Sequence, residues 1–322
     1  MVEASKLWFE AACSTCKCHE LIHPWTYRCS DATRTMLISC IKGSYKFYAM
    51  VYLIQILMRG KKLGKKEMLE QFKLYLKSGV FGLTVGSSFV TLNCIFRKLF
   101  FSEFSYYNTV LLPCTVSGLA VYCEPPYRRV MVLNLFVNLV FEYWVRTLEM
   151  KGWLRRSPGK ETLVFMLGSA LFFYLMRLDR DNNKRTPLFW FFTPPRVSKE
   201  VASSVLTMSA HGKDSAMYAI PAGFLSGLAF RASPSLPISL APVTSSLQIL
   251  GSWGYQKGMI PENWPLVEIL YCLCQGLLFH ARVMHEDVCP RYIINLMHTV
   301  TSSKADEIQS AFIKKMLKYA SG

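Results

Sequence analysis

The chain has 322 residues, of which 52% are apolar and 18% charged, and 37 Lys and Arg against 21 Asp and Glu leave a net charge of +16. Its mean hydropathy of +0.23 excludes a disordered chain and argues against a soluble domain, which carries roughly 25% charge. The basic excess is therefore assigned to the anionic face of a membrane rather than to nucleic acid.

The first 40 residues hold five of the 11 cysteines: Cys13, Cys16, Cys18, Cys29 and Cys40. With Glu3, Lys6 and Glu10 and no apolar core, the first 15 residues do not read as a cleavable leader. Cys13 and Cys16 have CxxC spacing, but no second CxxC follows. Cys18, Glu20, His23 and Cys29 form a second set of metal-ligand types. A reduced group of thiols beside the membrane accounts for the same residues without a metal.

Eight apolar runs follow: 41–58, 79–96, 109–122, 130–150, 162–176, 216–230, 236–255 and 266–284. A spanning helix needs about 20 residues, and the third, fifth and sixth runs are short for it. Six to eight spans are expected. Trp144, Trp153, Trp253 and Trp264 lie near run ends, where an interfacial aromatic belt would stand. Basic residues follow runs one, four and five, so positive charge does not fix the orientation.

Two stretches resemble each other about 107 residues apart. Leu112-Pro113-Cys114-Thr115-Val116-Ser117-Gly118-Leu119-Ala120 aligns with 220–229, which begins Ile220-Pro221 and ends Gly227-Leu228-Ala229. Lys151-Gly152 aligns with Lys257-Gly258, and Glu161 with Glu268. The pattern predicts a duplication: a short Pro-initiated run, a long run capped by a left-handed Gly, a polar loop and a closing run, twice. Gly82 with Gly86, Gly223 with Gly227, and Cys114 with Gly118 have small-xxx-small spacing, which lets helices approach closely in lipid.

Run four carries Glu142 and Arg146, four apart on one helix face. Ionisable residues at membrane depth mark a functional candidate; a self-neutralising interfacial pair is the plainer account. Phosphate-binding loops, dinucleotide fingerprints and nucleophile elbows are not found. His280 and His285 are five apart, off the i, i+4 spacing of a helical metal pair. Ser303 to Tyr319 is predicted to be an amphipathic helix, lying on the membrane surface or else docked on the protein's own loops, with Ser303 as N-cap and an apolar stripe of Ile308, Phe312, Ile313, Met316 and Leu317.

The expected fold class is thus an all-α, polytopic membrane helix bundle with an internal duplication. It has a Cys/His-containing N-terminal segment (1–40), a first membrane half (41–185), a linker (186–215), a second half (216–290) and an amphipathic tail (291–322).

The pattern Cys18-x-Glu20-x-x-His23-x5-Cys29 resembles the N-terminal motif of the transmembrane protein 135 family. Ala49 to Ile54 with Arg59 to Leu63, Cys94 to Leu99, Leu112-Pro113, Asn134, the Glu142 and Arg146 pair, 222–227 and Pro290-x-Tyr292 are similar to it as well. The family has a longer connector with further Cys and His, whereas 182–213 here contains no Cys. The resemblance implies a multi-span protein of peroxisomal and mitochondrial membranes, distantly related to Tim17-type proteins. It further implies a role in lipid handling and organelle organisation, with no enzymatic activity and no cofactor. The partners expected are the lipid bilayer, with a lipid-like solute or membrane proteins, and no nucleic acid. Two alternatives remain: a transporter or pore for a lipid-like solute between the repeats, lined by Glu142 and Arg146, and a lipid-modifying enzyme using His280, His285 or the cysteines.

Overall fold

The computed structural model describes residues 6–59, 64–99, 103–155, 157, 159–179, 220–221, 224–225, 230, 235–259, 261 and 264–320. Every regular element among them is a helix, as expected of a chain whose apolar runs lie in lipid, where backbone groups must be satisfied within the segment. In order they are α1 (Lys6–Cys13), α2 (Cys18–Leu21), α3 (Cys29–Arg59), α4 (Lys65–Leu99), α5 (Tyr106–Thr109), α6 (Leu111–Ser117), α7 (Pro126–Met150), α8 (Lys160–Asp179), α9 (Leu236–Gln256), α10 (Leu266–Met284), α11 (Arg291–Val300) and α12 (Lys304–Ala320). A 3-10 turn, Gly118–Cys123, continues α6.

Three of the described helices, α4, α7 and α10, are long and apolar enough to cross a membrane, fewer than the six to eight expected. The third run breaks into α6 and the 3-10 turn, as its shortness implied. At 35 residues α4 is about 50 Å long, more than the ~30 Å hydrocarbon core. Glu67 in its first turn and Arg97 and Lys98 in its last suit the helix dipole.

The described chain groups into two compact units, Met1–Arg129 with Glu268–Gly322, and Val130–Val267. These are not the two sequential halves: most of α10, which closes the second half, groups with the first 129 residues.

In the first unit α3 and α4 run antiparallel. A Cβ on Gly86 would meet Cys40 Sγ at 2.7 Å, and one on Gly82 would meet Tyr48 at 3.0 Å and Ser44 at 3.1 Å. Gly82 and Gly86 therefore lie where α4 comes close to α3. Gly118 lets α10 approach in the same way, its Cβ position lying 2.7 Å from Cys272 Cα. The two remaining packing glycines of the sequence analysis, Gly223 and Gly227, lie outside the described residues. The outer faces of α3 and α4 carry exposed Met50, Leu53, Ile54, Leu57, Met68, Leu69 and Phe72, an arrangement suited to contact with acyl chains.

In the second unit α8 packs on α9, with Gly168 against Pro242 and Val243. Gly152 and Gly258 take φ of +74° and +70°. Trp153 N–H donates to the Leu148 carbonyl and Met259 N–H to that of Gly254, so both Lys-Gly turns close by the same six-residue hydrogen bond.

The C-terminal helix departs from the membrane-surface placement and docks on the protein itself. Ile308, Phe312 and Met316 are buried, and α12 packs on α1 and α2. Its stripe is covered by the protein's own N-terminal segment rather than by lipid, and only Ile313 and Leu317 stay exposed. The cap also moves: Ala305 N–H donates to Thr301 Oγ1, while Ser302 and Ser303 take left-handed φ of 50° and 68°.

Candidate functional site

The N-terminal segment winds back onto the end of α4. Between α1 and α3 its one regular element is the four-residue α2. Leu21, Ile22 and His23 are fully buried there, so a short polar stretch is anchored by three consecutive side chains. Cys18 opens α2, Cys29 opens α3, and Cys94 lies on α4 one turn before its end.

Cys18, His23, Cys29 and Cys94 converge: one ligand atom from each lies within 4.8 Å of all the others. Among the described residues this group is the one arranged to hold a metal ion. His23 Nδ1 lies 2.8 Å from the Thr26 carbonyl. A carbonyl oxygen only accepts, so Nδ1 carries a proton, and in the neutral ring Nε2 presents its lone pair. Nε2 is buried and has no hydrogen-bond partner among the described residues. Arg97 Nη1 stands 3.9 Å from Cys18 Sγ, and its guanidinium lies 4.2 Å over the Phe104 ring. The Cys18 thiol falls well below the ordinary thiol range, drawn down first by the Cys94 thiol and then by His23 and Arg97, against the opposing effect of burial.

The sequence placed Glu20 in this set and missed Cys94, which read as one more small hydrophobe in an apolar run. The structure exchanges them. Glu20 turns away to accept from Lys17 N–H at 2.8 Å and from Lys315 Nζ at 2.9 Å. Cys13 and Cys16, despite their CxxC spacing, are buried elsewhere, and burial pushes the Cys13 thiol up to about 12. A thiol held protonated is inert as a ligand.

Glu142 and Arg146 are paired within α7. Arg146 Nε and Nη2 both donate to Glu142 Oε1, at 2.9 and 2.7 Å. Glu142 is buried, while Arg146 keeps about a third of its side chain exposed and so can snorkel. A second group of polar residues, which the sequence did not single out, lies in the first unit. Arg128 donates to Tyr52 Oη and to Ser78 Oγ and stands 3.5 Å from buried Glu124. Beside it Arg129 pairs with Glu268 at 2.8 Å.

His280 and His285 come together with Tyr106. Tyr106 Oη is 2.6 Å from His285 Nε2, and the Tyr106 and His280 rings meet edge to face at 4.8 Å. This arrangement ties α5 to the end of α10. Gln275, fully buried, fixes α10 to α6 through the Cys114 carbonyl at 3.0 Å and Ser117 Oγ at 2.7 Å.

The stretch that carries the four ligand-type residues, together with α4 and nearly all of α7, is also the stretch that resembles known proteins. Residues 15–147 match the family described as the N-terminal cysteine-rich region of Transmembrane protein 135. Over that stretch the chain is similar to the transmembrane protein 135 family. With α4, α7 and α10 apolar and long enough to span, it is an integral membrane protein. No solved structure matches it. The matched region contains Cys18, His23, Cys29 and Cys94, along with Glu142 and Arg146; the second half of the chain lies beyond it.

Proposed function

We propose that this transmembrane protein 135 relative is a non-enzymatic component of peroxisomal or mitochondrial membranes, acting in lipid handling and organelle organisation. The observation that carries the reading is the family stretch itself, which joins a Cys/His segment to the membrane-length helix α4 in one folded unit. The polar groups around Arg128, Arg129, Tyr106 and Gln275 also have packing roles, each linking one helix to another, while Glu142 and Arg146 neutralise each other within α7. The test is a tagged full-length chain expressed at its native level. It should remain in the pellet after alkaline carbonate extraction and coincide with peroxisomal or mitochondrial markers, and its deletion should change the lipid content of those organelles. Residence in the plasma membrane, or unaltered organelle lipids on deletion, would remove the proposal.

A second reading, transport of a lipid-like solute, is favoured by one observation: Glu124 and Glu142 are buried carboxylates on or beside a membrane-length helix. Intramembrane ionisable residues commonly line solute paths. Proteoliposomes separate the two readings, since only a transporter produces protein-dependent flux of a labelled fatty acid or sterol that Glu142→Gln or Glu124→Gln abolishes.

A further inference from the structure

The lipid-handling proposal makes no use of the four side chains gathered at the end of α4. We propose that Cys18, His23, Cys29 and Cys94 bind a single zinc ion in a closed Cys3His site that pins the N-terminal segment to the membrane helix.

The donor set fits. Zn–S bonds near 2.3 Å and Zn–N bonds near 2.0 Å set the corners of a tetrahedron about 3.5–3.8 Å apart. Donors already within 4.8 Å of one another reach that spacing by small side-chain rotations. The histidine is prepared for it: Nδ1–H is held by the Thr26 carbonyl, and buried Nε2 offers its lone pair to nothing else among the described residues. A backbone carbonyl on the far nitrogen is the usual way to orient a zinc-bound imidazole.

Charge and softness point the same way. Three thiolates and one Zn2+ leave a net charge of −1, and Arg97, 3.9 Å from Cys18 Sγ, supplies the compensating cation. Thiolates with one imidazole select zinc over magnesium or calcium, which take oxygen ligands. Four protein ligands leave no open coordination position, so the site is structural rather than catalytic. A disulfide is the rival for the thiols. It would use two of the three and leave the third thiol and the imidazole without a role.

The site also answers a local need. Around α2 there is little regular structure to fix the chain, and short segments of this kind are commonly held by a metal or a crosslink. A zinc ion here would join three points in the chain, α2, the start of α3 and the end of α4.

The test uses the full-length protein, purified in detergent under reducing conditions from zinc-replete cells. Elemental analysis should find about one zinc per chain, and Cys94→Ser should bring it below about a tenth. Glu20→Gln should leave it unchanged, because Glu20 faces Lys315. To separate misfolding of Cys94→Ser from loss of the site, two measurements use the wild type alone. Cobalt exchanged into the site should give the visible bands of a tetrahedral thiolate complex. Chelation should expose Cys18, Cys29 and Cys94 to alkylation while leaving Cys13 unreactive. Wild-type protein without zinc after reconstitution, a disulfide among Cys18, Cys29 and Cys94, or zinc lost in Glu20→Gln and kept in Cys94→Ser would each overturn the proposal.

Discussion

Glu20 Oε1 and Lys315 Nζ lie 2.9 Å apart, joining positions separated by 295 residues. The Lys17 N–H first, and then Lys315, draw the Glu20 carboxyl from 4.5 down to about 2. A depressed carboxyl stabilises the fold above its unfolded value and loses that contribution as pH falls through the folded one. Lys315 is shifted above 10.5 by its bond to Glu20, so its contribution is complete below 10.5 and fades at higher pH. The clamp therefore holds fully between about pH 4.5 and 10.5. Both side chains are about a third exposed, which limits it to about 0–1 kcal/mol. Amide exchange in α12, corrected for intrinsic rates, should accelerate below pH 4.5 in the wild type and show a flatter pH profile in Glu20→Gln. Identical profiles would dispose of the clamp.

Phe312 is fully buried and stacks on Phe9 with ring centroids 5.7 Å apart. Truncating a buried Phe costs about 3–5 kcal/mol, far more than the salt bridge contributes. Phe312→Ala should release α12 from α1 and expose the left-handed Ser302–Ser303 junction to limited proteolysis. A digestion pattern like that of the wild type would contradict the docking.

Two glycines should respond in opposite directions to the same substitution. A methyl on Gly118 would press on the Cys272 backbone at 2.7 Å, whereas one on Gly251 meets nothing within 4 Å. Gly118→Ala should lose about 1–3 kcal/mol by overpacking. Gly251→Ala should be neutral or gain up to about 1 kcal/mol from helix propensity. Thermal unfolding in detergent compares them directly; equal shifts would mean that α6 and α10 do not pack as described.

Glu142→Gln should preserve assembly, since Gln fills the same volume and still accepts from Arg146. Glu142→Ala removes the acceptor of both guanidinium hydrogen bonds. Because Arg146 can turn partly to water, the cost should be about 1–3 kcal/mol, read as a lower melting temperature in detergent. An unshifted melting temperature in Glu142→Ala would assign the pair no structural role.

What the sequence revealed depended on whether a residue's partner was local. Gly152 and Gly258 were readable as left-handed caps because a cap depends on its own helix end. Glu142 and Arg146 were readable for the same reason, being one helical turn apart. Cys18, His23 and Cys29 fall within 12 residues, a span in which ligand spacing has meaning, but Cys94 lies 65 positions further on in an apolar run. Glu20 was misassigned because spacing does not say that a lysine from the last helix holds it. The stripe on α12 was legible as a stripe, but its cover was not, since Phe9 belongs to the opposite end of the chain. Arg282 is buried against Asp306 at 2.6 Å and against Gln309, and nothing in the sequence around it announces that pairing.

The stacking of Phe9 on Phe312 also constrains sidedness. Helix α1 precedes the membrane-length helices and α12 follows them, and their direct packing puts both on one face of the bilayer. A chain that starts and finishes on the same face crosses an even number of times. Three of the described helices are long and apolar enough to cross, so an even count requires either that two of them cross or that a further segment joins all three. Reporter tags at the two ends should consequently share one fate in every protease-protection assay, both shielded or both cut.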